Sequence, residues 1–328
     1  MLLTDHHADI AGFEARLNAR WGKGLDLLEC LIEFCRDAGR GFSVRYLGPH
    51  SEARSAKTDA LARLHAKGTL TASEGLTLLR SGYSTAAMAR WRTLHETTVT
   101  AFVLLDQPDS LSQRFLAHDA ADSLRAQQDY EQWWRRLGAE PPDWEPHDRD
   151  ALKSDLTALY GPAFLAQYGW AEPLVGRVPK FRDLEEAAHL DHLRPYYRMA
   201  SYGIHPSAKG VLWSLQSLPD LGILMPGPSN AGLADPGHSL AISFGQLTMA
   251  LMVHEIRLGP EDVDLTDRMG LVIGMQAVLE VADRVGDALP ATHDAQVEEE
   301  RQKAEVAERL LVEISIGGGP DLDALAEA

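Results

Sequence analysis

The sequence predicts an all-α fold, a multi-helix bundle. Apolar residues recur at three- and four-residue spacing along almost the whole chain, and the two-residue alternation of a strand is nearly absent. Glycine and proline fall between the periodic runs, where helices stop. The composition is that of a globular protein: 328 residues, 45% hydrophobic and 24% charged. A chain of that length buries a sizeable core without disulfides or metal.

The elements follow in order. Helices are expected over about Ile10–Trp21 and Leu25–Ala38, separated by Gly22 and Gly24. An amphipathic segment runs from about Ser55 to Ala66 and stops at Gly68. Thr71 and Glu74 form a capping-box pattern, which opens a helix to about Arg80. Ser84 caps a long helix to Asp106, and another spans Ser110 to about Arg136. The stretch 138–148 holds three prolines and reads as a loop. Helices resume at Arg149–Tyr160, and Pro162 opens a further segment to Tyr168. An irregular region at 171–181 precedes helices over Phe181–Leu193 and Tyr196–His205, with Pro195 between them. Another helix begins near Ser207, and the proline- and glycine-rich stretch 217–237 reads as a long loop. Helices His238–Leu258 and Pro260–Ala288 follow, and a last one reaches about Ile316. The expected organisation is N-terminal helices over 1–70, a core over 71–216, the 217–237 loop, C-terminal helices over 238–316 and a disordered tail at 317–328.

The formal charge is −17, and residues 287–328 alone carry eleven acids against three bases. That balance argues against broad electrostatic capture of nucleic acid and leaves room for a local basic patch. One such group is Arg177, Lys180 and Arg182, with Arg194 and Arg198 further on. There is no stretch of eighteen uncharged apolar residues and no basic start followed by an apolar run. No membrane partner and no secretory signal are therefore expected, and the location is expected to be cytoplasmic. Cys30 and Cys35 sit five apart in a helical pattern and read as buried core thiols in a reducing compartment. No phosphate-binding loop, nucleophile elbow, dinucleotide fingerprint or zinc helix is present.

Two segments carry unusual polar groups. In ARWRTLHETTV, Arg92 and Glu96 lie four apart with His95 beside them. Four residues put both on one helix face, and the apolar neighbours Met88, Trp91, Leu94, Val99 and Phe102 suggest a buried pair. In RPYYRMASYGIHPSAKG, Arg198 and His205 lie seven apart. On a continuous helix that is ~20° short of two turns, about 10 Å along the axis. Ser201 and Tyr202 then fall between them on the same stripe. Arginine offers a fork for phosphate, and histidine exchanges a proton near neutral pH. A cap at His205 beside a solvated Arg198 explains the same residues without chemistry. His189 and His192, with Glu185, Glu186 and Asp191, form a metal alternative, although an exposed acidic helix accounts for EEAAHLDHL better.

The Arg198-x6-His205 segment resembles the R-x(4–6)-H motif of the HEPN superfamily (higher eukaryotes and prokaryotes nucleotide-binding). Upstream, LLRSGYSTAAMARWRTLHETTVTAF resembles the R-x-x-x-E helix of an uncharacterised bacterial family. That family carries a later Y-x-x-x-S-x-x-x-H-like helix, approximated here by Tyr197, Ser201 and His205. The similarity covers about residues 71–106 and 194–215. It implies an all-helical HEPN-like core and a metal-independent endoribonuclease of a defence or toxin–antitoxin system, with no cofactor. It also implies RNA as partner and a homodimer whose active site forms where two motif helices meet. Arg198 and His205 would be its motif residues, joined by Arg92 and Glu96 from the other helix, with Ser201 and Tyr202 as orienting hydroxyls. Met199 stands where these motifs usually carry a polar residue. Some members of the superfamily are binding or assembly modules without nuclease activity. The alternative for this chain is a helical regulatory or scaffold protein, with partner contacts through Val306, Leu310 and Leu311.

Overall fold

A computed structural model describes residues 2–48, 51, 55–140, 149–205, 207–214, 216–218, 223–259 and 263–316, without the side chains of 213, 214, 216–218, 223–225 and 310–316. Among the described residues the chain is helical apart from one small hairpin. The α-helices are α1 (Leu2–Tyr46), α2 (Ala56–Arg80), α3 (Ser84–Asp106), α4 (Asp109–Arg136), α5 (Arg149–Tyr160), α6 (Glu172–Val175), α7 (Phe181–Ala187), α8 (Arg194–Tyr202), α9 (Ala208–Ser214), α10 (Ala234–Ile256) and α11 (Leu265–Ile316). Short 3-10 turns cover Pro162–Leu165, Gly169–Ala171 and Asp191–Leu193.

Several expected boundaries dissolve, and packing explains why. The helices read as separate at Gly22 and Gly24 are one helix, α1. Gly24 is where α11 comes closest: a Cβ there would lie 2.4 Å from Leu289 Cδ2. Gly68 likewise does not end a helix, because a Cβ there would lie 2.2 Å from Leu247 Cδ2 of α10. Thr71 is no cap. Its hydroxyl donates to the carbonyl of Lys67 within α2, and the true cap is Ser55, which accepts from the Thr58 amide. The expected boundary at 70/71 therefore falls inside α2. Ser84 is the first residue of α3 rather than its cap. Inside 217–237 the structure forms strand β1 (Gln216–Leu218) against β2 (Ile223–Met225), antiparallel, and the first turn of α10. The helix expected over Pro260–Ala288 and the last one to Ile316 are one, α11, which continues through Pro290. The expected disordered tail at 317–328 lies outside the described residues, as does most of the 138–148 loop.

α10 lies at the centre, packed by α1, α2, α3 and α11. It is long and apolar enough by composition to cross a bilayer, and 67% of its apolar stretch is buried inside the bundle. Trp21, Phe42, Trp91 and Phe244 are fully buried in the same core. Polar groups that enter it are paired: Trp91 Nε1 donates to Ser243 Oγ at 2.9 Å, and His65 Nε2 meets Thr248 Oγ1 at 3.0 Å. Of the two cysteines only Cys35 is buried, where burial pushes its thiol up to about 12. Cys30 is exposed, contrary to the reading of both as core thiols. It sits on the outward side of α1, five residues and therefore about 140° of helix rotation from Cys35.

On one flank, α4 holds the 160–172 segment through Arg114, which donates to the carbonyls of Tyr160, Gly169 and Trp170. α8 lies against α3, and α7 reaches it through the Phe181 ring, 5.0 Å from that of Tyr197 between centres.

Candidate functional site around helix α8

α8 begins with Pro195 in its first turn, where a missing amide costs nothing. Tyr197 and Ala200 point inward and are buried, and Ser201 follows one turn after Tyr197. Facing them on α3 are Arg92 and Glu96. Arg92 Nε donates to Glu96 Oε1 at 3.2 Å, and its Nη1 donates to Ser201 Oγ at 3.2 Å. The guanidinium plane lies 4.6 Å from the centre of the Tyr197 ring. The Tyr197 hydroxyl donates to Glu96 Oε1 at 2.6 Å. Burial, together with the Glu96 carboxylate that accepts this bond, pushes the Tyr197 phenol well above its ordinary range. Tyr168 is also raised, by burial first and then by the Glu96 charge.

Beneath this cluster lies a second, deeper one. His95 and Glu185 are both fully buried, and His95 Nε2 donates to Glu185 Oε1 at 3.1 Å. The other Glu185 oxygen pairs with Arg194 at the start of α8. The His95 ring stacks on Trp91 and meets Phe181 edge-on. Among the described residues His95 Nδ1 has no hydrogen-bond partner. α3, α7 and α8 are thus clamped by two polar networks, which fix α8 in place.

The outward face of α8 differs. Arg182, Asp191, Arg194, Arg198, Met199, Tyr202 and Lys209 line an open groove of about 610 Å³. Around it, Arg177 pairs with Asp183 at 2.7 Å and Arg182 with Glu186 at 2.8 Å. Arg194 is held by Glu185. Arg198 is exposed and has no hydrogen bond or ion pair among the described residues. The Lys209 ammonium lies 4.6 Å from the centre of the Tyr202 ring.

The expected site is therefore assembled in part. Arg92, Glu96 and Ser201 do meet, half-buried rather than fully buried. Arg198 and Tyr202 lie one turn apart on the outer face. His205 does not share their helix: α8 ends at Tyr202 with Gly203 as its cap, and His205 lies exposed in the turn that leads to α9. The seven-residue phase argument fails there, because it required an unbroken helix. Glu96 holds Arg92, and His205 is not among its partners. The expected acidic helix at EEAAHLDHL is also corrected. Glu185 is fully buried, and His189 breaks the helix with a φ of 56°. Among the described residues no group of histidine, cysteine and carboxylate side chains is placed to hold a metal.

His95, Glu185, Arg194 and Tyr197 are the network members that motif reasoning undervalued. The available signal was local: Glu185 follows Phe181 and Leu184 on one apolar face.

Residues 58–219 match a family of unknown function, DUF5677. Both networks and the residues of the outer groove lie within that span. No curated protein and no solved structure matches the chain.

Proposed function

We infer that the outer face of α8 is the phosphodiester-binding groove of a HEPN-like, metal-independent endoribonuclease. The observation that carries this reading is Arg198: an exposed guanidinium with no hydrogen bond or ion pair among the described residues, on a groove it shares with Asp191, Arg194, Tyr202 and Lys209. The chain is strongly acidic overall, so an unneutralised cation facing an open groove selects a local anion rather than nucleic acid in bulk. A guanidinium fork suits phosphate, and Tyr202 offers an aromatic face to a base.

In the reaction, an RNA 2′-oxygen attacks the adjacent phosphorus and the bond to the 5′-oxygen breaks. His205 removes the 2′-hydroxyl proton or delivers one to the leaving oxygen, and water exchanges the other. Arg198 stabilises the charge on the phosphorane oxygens. The product ends are a 2′,3′-cyclic phosphate and a 5′-hydroxyl. Arg92, Glu96, Tyr197 and Ser201 act as positioning residues that hold α8. A cytoplasmic role in defence against phage or in a toxin–antitoxin pair accords with an enzyme that cuts cellular RNA.

The test is cleavage of mixed cellular RNA in the presence of EDTA. Wild type cuts, while His205→Ala, folded by circular dichroism, does not. Arg198→Ala slows cutting by roughly a hundredfold or more. Unchanged cutting in His205→Ala overturns the mechanism. No cutting by folded wild type, with or without divalent metal, moves the assignment to a regulatory or scaffold protein.

A further inference from the structure

α1 and α11 run antiparallel: Gly24 meets Leu289, and nearer the start of α1 Arg20 pairs with Glu299 at 2.9 Å. The approach is tight at Gly24, where a Cβ would lie 2.4 Å from Leu289 Cδ2. Further towards the start of α1 the lining is short: Ala19 on α1, Ala291 and Ala295 on α11. Such side chains do not fill the space between the helices, and an open groove of about 720 Å³ results.

The groove offers two kinds of polar group. Arg16, Arg20 and Lys23 line it from α1 against one carboxylate, Glu299, which Arg20 holds. Arg16 and Lys23 are exposed and have no hydrogen bond or ion pair among the described residues. Seven residues apart, they stand two turns from each other, about 10 Å along the helix. The other kind is an unmet acceptor. Gln296 Oε1 and Asn230 Oδ1 are buried and have no hydrogen-bond partner among the described residues. Gln296 is 7% exposed, and its Nε2 donates to Glu300 Oε1 at 3.0 Å, which leaves the oxygen as the free end. Asn230 is pinned through its backbone. Its carbonyl accepts from Trp21 Nε1 at 3.2 Å, and the preceding Ser229 amide donates to the Gly82 carbonyl at 2.9 Å. Buried acceptors are almost always paired, and these two line the same groove.

We propose that this groove binds a small phosphate monoester that also carries hydroxyl or N–H donors. The phosphate answers Arg16 and Lys23, two unpaired cations on a chain of formal charge −17. The donors answer the two carboxamide oxygens, which can only accept. An inorganic anion satisfies the first set alone, and an uncharged sugar or base the second alone. The volume lies within the ~300–1,000 Å³ of small-molecule sites. The lining residues fall outside residues 58–219 and away from α8, so the proposal is independent of the ribonuclease reading.

Calorimetric titration of the full chain with inorganic phosphate, ribose 5-phosphate and adenosine 5′-monophosphate tests it. At least one ester is expected to bind roughly tenfold tighter than inorganic phosphate or better. Which ester does so shows whether sugar hydroxyls or base N–H groups meet the carboxamides. Arg16→Ala/Lys23→Ala is expected to weaken ester binding roughly a hundredfold, whereas Arg198→Ala, in the α8 groove, leaves it unchanged. Gln296→Met keeps the volume and removes the acceptor. It is expected to weaken ester binding roughly tenfold while the thermal midpoint of the ligand-free chain stays level or rises, which a merely structural glutamine would not do. No binding of any of the three probes, or equal affinity for all three, overturns the proposal. So does ester binding that is unchanged in Arg16→Ala/Lys23→Ala or in Gln296→Met, or that is lost in Arg198→Ala.

Discussion

Acidification should unfold this protein through two core histidines. His65 and His254 lie 2% and 7% exposed on the faces of α2 and α10 that meet in the core. Burial lowers the His65 imidazole from 6.5 to about 4, and His254 falls to about 4 through burial and the nearby Lys57 and Arg257 cations, which Asp109 only partly offsets. Each ring is bonded to a hydroxyl at 3.0 Å, Thr248 Oγ1 for His65 and Thr58 Oγ1 for His254. The native state therefore holds them neutral, while the unfolded chain takes up protons near 6.5. Stability is complete above that value and is lost as pH falls from about 6.5 towards 4. A displacement of this size corresponds to ~3 kcal/mol per histidine, so roughly 6 kcal/mol for the pair. That is a large share of the 5–15 kcal/mol typical of a whole domain. Urea titrations across this pH range should show the midpoint falling steeply. A His65→Gln/His254→Gln chain, which keeps a polar group for each threonine, should lose much of that slope. A wild-type midpoint flat between pH 6.5 and 4, or an unchanged slope in the double variant, would refute the reasoning.

Three further outcomes follow from the clamp on α8. Glu185→Ala strips His95 of its partner in a fully buried site and should cost about 2–4 kcal/mol by urea denaturation, whereas Glu185→Gln, which still accepts from His95, should cost less. Tyr197→Phe removes the 2.6 Å bond to Glu96 and should cost about 1 kcal/mol, since Glu96 stays partly open to water. Gly210→Ala would put a Cβ 2.1 Å from the Tyr202 carbonyl, so α9 must move and Lys209 with it. RNA cleavage should fall in that variant while the thermal midpoint of the bundle changes little.

The all-helical fold was legible because apolar periodicity reports burial, and burial made these helices. Boundaries that rested on glycine alone were not legible. Gly24 and Gly68 serve close contacts with Leu289 and Leu247, which lie more than 170 residues away in the chain. Such contacts are tertiary, and a local rule cannot see them. Proline was the better guide at Pro195, once read as a first-turn residue, although α11 runs through Pro290. Of the site, the Arg92–Glu96 pair followed from spacing on one long helix. The phase of Arg198 and His205 did not, since it depended on where α8 ends, at Tyr202. The role of Glu185 was hidden because its partner His95 lies ninety residues earlier.

The central claim is that Arg198 contacts an RNA backbone, and binding tests it without requiring turnover. A labelled single-stranded RNA is titrated with His205→Ala, which retains the groove, and with His205→Ala/Arg198→Ala, at about 50 and 200 mM salt. Loss of Arg198 should weaken binding about tenfold and reduce the slope of log affinity against log salt by roughly 0.7, one phosphate contact on a single strand. Equal affinity and equal slope in the two chains would contradict the account.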